Sequence, residues 1–188
     1  MISDDTAANL ACARLRDVLG VLLSKSGDYD TGIAGLTLYR REERSEPGGQ
    51  GSAIPHATVV FQGAERVLVN GREFTCRQCE CRVNHKDAYG TGHVADASTE
   101  KPFLAASLEL DRGLLRELRE NPAFGVHDDQ NTADGITVTP ADANVLDAFH
   151  RLVMLCRTPS KIPFLAPRII YEIHYLLVTG TAVPHLQQ

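Results

Sequence analysis

Apolar residues recur along this chain with two periods, and the change between them divides it. Over residues 5–23, Leu10, Ala11, Leu15, Val18, Leu19 and Leu22 fall at three- and four-residue steps, which predicts an amphipathic helix. Asp4 or Asp5 caps its start, and Ser24-Lys25-Ser26-Gly27 ends it. Alternation takes over at Ile33, Leu36 and Leu38, so residues 33–40 read as a strand. A flexible loop at 45–52 (SEPGGQGS) leads into the β-branched run at 56–61, and Gln62-Gly63-Ala64 turns the chain into 66–69. Asn70-Gly71 is the strongest short hairpin signal in the language of turns. Phe74, Val83, Val94 and the run at 103–110 continue the pattern, and many short strands joined by turns predict a sandwich or a barrel.

The helical period returns afterwards. Asp111 caps a short helix bearing Leu114, Leu115 and Leu118, which stops near Asn121-Pro122. Residues 128–135 form a polar loop, and Ile136-Thr137-Val138 makes one more short strand. Thr139-Pro140-Ala141-Asp142 reads as a helix start, with a hydroxyl cap and proline at the first helical position. That helix carries Val145, Leu146, Phe149, Leu152, Val153 and Cys156 on one side, and Thr158-Pro159-Ser160 breaks it. A last helix over about 166–178 carries Ile169, Ile170, Ile173, Leu176 and Leu177, with Gly180 at its end. The division expected is therefore 1–138, a helix plus the β part, and 139–188, a helical segment.

Composition narrows the function. The length of 188 residues fits one domain plus appendages, or two small units, and can bury a substantial core. A content of 43% hydrophobic with 23% charged residues is ordinary for a globular protein. A formal net charge of -5 is a poor match for a polyanion, which argues against direct nucleic-acid binding by this segment. No stretch supplies the roughly 20 apolar residues of a membrane span, and the acidic N-terminus does not read as a signal peptide. Five cysteines, an odd number in a chain read as cytoplasmic, point to reduced thiols.

The sharpest chemical feature is Cys76-Arg77-Gln78-Cys79-Glu80-Cys81, with His85 beyond it. Thiolates around a tetrahedral metal or a redox pair are one reading, and small thiols packed into a β wall are the other. If 79–85 is one strand, Cys81 and His85 stand about 13 Å apart at ~3.3 Å per residue, too far for one ion. A metal would need Cys76, Cys79 and Cys81 plus a distant fourth ligand such as His93 or His56, and no metal or other cofactor is expected. There is no His-x-His pair, no Gly-x-Ser-x-Gly elbow, and Gly48-Gly49-Gln50-Gly51 lacks the lysine of a phosphate loop, so an enzyme is not expected. Glu172 and His174 point to different helix faces and form no acid–base pair. His150 and His174 read as partly exposed helix-surface residues.

Gly35-Leu36-Thr37-Leu38-Tyr39-Arg40, Ile54-Pro55-His56, and Val59-Val60-Phe61-Gln62-Gly63-Ala64-Glu65-Arg66-Val67 carry a family resemblance. So do Ala97-Ser98-Thr99-Glu100-Lys101-Pro102-Phe103-Leu104 and Leu108-Glu109-Leu110-Asp111. The helical matches are Leu146-Asp147-Ala148-Phe149-His150-Arg151-Leu152 and the run from Leu165 to Leu177. In order and spacing, over about 31–186, the chain resembles the N-terminal effector-binding and dimerisation domain of AraC-type (AraC/XylS) bacterial transcription regulators. That resemblance implies a cupin-like β-barrel that can hold a small effector, followed by a helical pair that joins two subunits. It also implies a helix-turn-helix domain beyond Gln188, which would make DNA a partner only through that absent part. The cysteine cluster is where the chain departs from the family.

Alternation places His56, Thr58 and Val60 on one strand face, and Cys79, Cys81, Val83 and His85 on another. These two rows are the candidate ligand-binding residues, with the choice of face open and a barrel simply filled by side chains as the competing view. Leu146, Phe149, Leu152, Val153, Ile169, Ile173 and Leu176 are more apolar surface than two helices can hide from each other, and they are the expected homodimer interface. The expectation is a non-enzymatic sensing and pairing domain. A metal-binding or thiol-based cupin sensor, or a cupin enzyme, is the alternative.

Overall fold

A computed structural model describes residues 4–46, 54–84, 90–124 and 135–180. His85, residues 47–52 of the Gly-rich loop and residues 128–134 of the polar loop lie outside them. Among the described residues the chain is mainly β with four α-helices. The order is α1 (Asp4–Leu22), β1 (Gly27–Asp30), β2 (Leu36–Arg41), β3 (His56–Gln62), β4 (Ala64–Val69), β5 (Arg72–Arg77), β6 (Glu80–Asn84), β7 (Gly90–Asp96), β8 (Phe103–Glu109), α2 (Arg112–Glu120), β9 (Ile136–Pro140), α3 (Ala143–Met154) and α4 (Ile162–Thr179).

The strands form two antiparallel sheets, one of six in the order β1-β2-β8-β3-β6-β9 and one of three in the order β5-β4-β7. The expected single closed barrel is thus resolved, in the described residues, into two sheets that face each other. The switch occurs at the β3–β4 corner. Gly63 sits at φ +80, and a Cβ there would collide with the Asp96 carbonyl oxygen and press on the Phe103 backbone. Only glycine takes this corner without strain. The ladders slip on both sides of it, between Val60 and Gln62 and between Ala64 and Glu65, as strands do at bulges. The Asn70-Gly71 hairpin forms as predicted, with φ 51 and 78, the double positive φ of a type I′ turn.

The central strand β3 is buried on both faces, which is why its sequence is apolar almost without alternation. Its Ala57, Val59 and Phe61 side, with Leu36, Leu38, Cys81, Val83, Leu104, Ala106 and Leu108, meets a helical layer. Into that core α1 sends Cys12, Leu15 and Leu19, and α3 sends Val145, Leu146, Phe149, Leu152 and Val153. Removing each Leu or Phe side chain from water is worth about 1.5–3 kcal/mol, which makes this the main store of stability.

Three elements differ from the sequence reading. The short edge strand β1 pairs with β2 although its four residues carry no apolar repeat. The helix expected at Thr139 starts at Ala143 under an Asp142 cap, whose carboxylate accepts the Asn144 N–H at 2.8 Å. Thr139 and Pro140 instead pair with Cys81 and Glu80 at the end of β9, in keeping with the extended backbone that a residue before proline favours. And α4 begins at Ile162, because Pro163 occupies the first turn, where the missing N–H costs no bond.

Candidate functional site

The ladder registers decide between the two candidate faces. Val59 pairs with Cys81 and Ala57 with Val83, whereas Thr58 pairs with Arg82 and His56 with Asn84. Paired residues share a face. His56, Thr58 and Val60 therefore look towards the three-stranded sheet, while Cys81 and Val83 lie under the helices. The second predicted row, Cys79, Cys81 and Val83, does not join the first, and its last member, His85, is outside the described residues. What joins His56 and Thr58 are Arg82 and Asn84 of β6, Ser107 of β8, and Glu65 from the opposite sheet.

Arg82 is the centre of this group, 7% exposed. Its Nε donates to Glu65 Oε1 at 2.8 Å, linking the two sheets. Nη1 donates to Asn84 Oδ1 and to His56 Nε2, the latter at 3.1 Å, and Nη2 donates to Thr58 Oγ1 at 3.3 Å. Thr58 Oγ1 in turn donates to Ser107 Oγ at 3.1 Å. His56 Nδ1 donates to the Ile54 carbonyl at 3.0 Å, which assigns a neutral ring whose Nε2 accepts. Burial first, and the Arg82 charge second, lower its basicity below the ordinary 6.5. Val60, Cys76, Val94, Phe103 and Ala105 make an apolar wall beside the group, and Val67, Val69 and Ile136 make another.

No hydroxyl here is activated. His56 Nε2 is occupied by Arg82 rather than turned to Ser107 or Thr58, so the base of a nucleophilic pair is already in use. The arrangement is a set of fixed donors and acceptors between apolar walls, suited to orienting a small polar molecule. The sequence reading missed Arg82, Glu65, Asn84 and Ser107. A signal existed in the first: an arginine inside Cys81-Arg82-Val83, on a strand whose alternate positions are apolar, must be buried with a partner.

The cysteines are dispersed. Cys12 of α1 and Cys79 form a disulfide with Cα atoms 5.8 Å apart, which corrects the expectation of reduced thiols throughout. Cys76 belongs to the wall between the sheets and Cys81 to the core under the helices, so the weak metal candidates Cys76, Cys79 and Cys81 do not converge. Among the described residues no three His, Cys, Asp or Glu side chains gather as metal ligands would.

The predicted pairing residues are also relocated. Leu146, Phe149, Leu152, Val153 and Ile173 are 0% exposed, Ile169 is 8% exposed, and half-buried Leu176 packs on the same core, so that face is spent inside the protomer. His174, expected on the helix surface, is fully buried. Its Nε2 accepts the Asp111 N–H at 2.8 Å and its Nδ1 donates to the Ile170 carbonyl at 2.7 Å, tying α4 to the start of α2. What α4 leaves outside is Phe164, 73% exposed, with Leu165, Tyr171 and Tyr175.

Against known proteins, residues 32–185 match the family described as AraC-type transcriptional regulator N-terminus. No curated protein sequence matches the chain. Solved structures similar to it include ToxT from Vibrio cholerae in an unsaturated-fatty-acid-bound form, at 8% identity and a TM-score of 0.46, over 78% of this chain and 57% of that one. The AraC-like transcriptional activator CuxR matches at 15% identity and a TM-score of 0.44, over 86% of this chain and 57% of that one. A cupin-2 domain protein from Shewanella frigidimarina matches at 11% identity and a TM-score of 0.36, over 50% and 91%. The chain thus spans little more than half the length of the two regulators.

Proposed function

The chain belongs to the AraC-type transcriptional regulator N-terminal family, and we propose that it is the effector-sensing and dimerisation domain of such a regulator, with no catalytic task. The family match over 32–185 is the observation that carries this reading. The effector is a small polar molecule held between the two sheets, a cupin-like cup in which His56, Thr58, Arg82, Asn84 and Ser107 set its orientation and Val60 lies on the apolar side. A few polar groups among apolar ones are what fixes a ligand's pose.

The output is the helical layer formed by α3 and α4. A ligand that binds one arrangement of sheets and helices better than another biases α3 and α4, and through them a DNA-binding domain beyond this segment. A net charge of -5 suits a domain that leaves the polyanion to another part. Pairing of two copies uses the exposed side of α4, where Phe164, Tyr171 and Tyr175 recur at helical spacing. No described helix is long and apolar enough to cross a membrane; the regulator works in the cytoplasm.

A thermal-shift screen of small polar metabolites tests the sensing role, because a ligand of the native state must raise its melting temperature. A hit should bind at least tenfold more weakly to His56→Gln and to Ser107→Ala. Ligands that bind both variants as tightly as the parent would place the site elsewhere.

A further inference from the structure

The disulfide joins two elements of different standing. Helix α1 precedes the matched residues 32–185, and Cys79 lies within them. It is held by Cys12, Leu15 and Leu19, all 0% exposed, on a face that packs against α3 and β3. The partner, Cys79, sits at a positive φ of 62 in the turn between β5 and β6, a backbone state rare outside glycine, asparagine and aspartate. Its neighbours Arg77 and Gln78 are exposed, and Cys79 itself is half-buried.

That turn is wired to the output helices by backbone bonds. The Cys79 N–H donates to the Val60 carbonyl at 2.8 Å, and the Cys79 carbonyl accepts the Ala141 N–H at 2.9 Å. Ala141 stands directly before Asp142, the cap of α3. One residue therefore grips the central strand, the entrance of α3 and, through its sulfur, α1.

We propose that Cys12–Cys79 is a reversible redox latch, opened by a protein dithiol and closed by a hydroperoxide, whose state sets how α1 docks on α3. Opening begins when a thiolate of the dithiol attacks Cys79 Sγ and expels Cys12 as a thiol after proton uptake. The second thiolate of the reductant then displaces Cys79 from the mixed disulfide, leaving two cysteine thiols and an oxidised dithiol. In closing, the Cys79 thiolate attacks the hydroperoxide, releases the alcohol (or water) and becomes a sulfenic acid. Cys12 then attacks that sulfur, forming the disulfide and releasing water.

The other thiols are kept out of this exchange. Burial pushes Cys81 up to about 12 and Cys76 higher still, and it raises Cys156 as well. Exchange needs a thiolate, so the buried Cys76 and Cys81 stay as packing groups while the latch turns over. The Cys76 thiol is further engaged, donating to the Glu80 carbonyl at 3.5 Å.

The test needs no knowledge of the effector, so its failure leaves the sensing reading intact. The native chain is incubated with reduced thioredoxin, its accessible thiols are counted with a maleimide, and amide hydrogen exchange is followed. Two new thiols should appear, and exchange across Asp4–Leu22 and the first turn of α3 should quicken at least tenfold. Hydrogen peroxide should reverse both changes. Cys79→Ser, which leaves Cys12 packed in the core, should show the fast exchange whatever the oxidant. A bond that resists thioredoxin until the protein is unfolded would make it a permanent staple and overturn the proposal. Reduction with no change in α1 exchange would overturn it equally.

Discussion

At the scale of single residues, the buried Arg82–Glu65 pair ties the two sheets at a point where both charges have left water. The side chains are 8% and 15% exposed, so desolvation is severe, and the bonds to His56, Asn84 and Thr58 help offset it. Removing one partner strands the other. Glu65→Leu should cost about 3–5 kcal/mol in urea denaturation, and Arg82→Met/Glu65→Leu should cost less than the two single losses added. Strict additivity would mean that the pair does not act as a unit. His174 supplies a second test. Its ring is neutral and buried, and burial lowers its basicity below the ordinary 6.5. The unfolded chain then takes up the proton first, so the stability from this ring is whole above the unfolded pKa and declines as pH falls through the folded one. His56 acts with the same sign. Denaturation midpoints measured at pH 7.5 and 5.5 should fall in the parent and fall less in His174→Gln, which keeps an acceptor but does not titrate.

At the scale of elements, α4 divides its residues between a buried face and an exposed one. Ala166, Ile169, Ile173 and His174 are buried within the chain, whereas Phe164, Arg168, Tyr171 and Tyr175 form an outward stripe. The α3–α4 pair is clamped by Arg151, which reaches Glu172 through both Nη atoms at 2.6 and 3.0 Å and Asp147 through Nε at 2.8 Å. These groups are about two-fifths exposed or more, so the clamp orients the helices more than it stabilises them. On the proposed pairing through this stripe, Phe164→Glu should convert the dimer to a monomer in light scattering with little change in melting temperature, because an exposed ring contributes little to the folded chain. A dimer that survives both Phe164→Glu and Tyr171→Glu would move the interface off this stripe. The same element explains why the burial of the expected pairing residues within the chain itself is not legible in the sequence. The periodicity of Leu146, Phe149, Ile169 and Ile173 announces an apolar face, but a period is the same whether the covering surface is a second chain or the chain's own sheet.

At the scale of the molecule, a six-stranded sheet separates two environments, a helical core on one side and a polar cluster facing a second sheet on the other. The disulfide closes a 67-residue separation across this arrangement, which on a chain-entropy account is worth about 4 kcal/mol. That is enough to decide whether α1 stays docked. Most of the strand and helix order, the Asn70-Gly71 hairpin and the Asp111 cap were legible in the sequence, because each depends on neighbours within a few positions. The family resemblance was legible from the order and spacing of segments; β1, which carries no apolar repeat, was not. Which strand face holds the cluster was not, since a one-residue change of register exchanges the faces and only the pairing of Thr58 with Arg82 settles it. The meeting of Cys12 with Cys79, of Arg82 with Glu65 and of His174 with Asp111 lay equally beyond local pattern. Each joins groups from 17 to 67 residues apart, and only the packing of layers brings such groups within bonding distance.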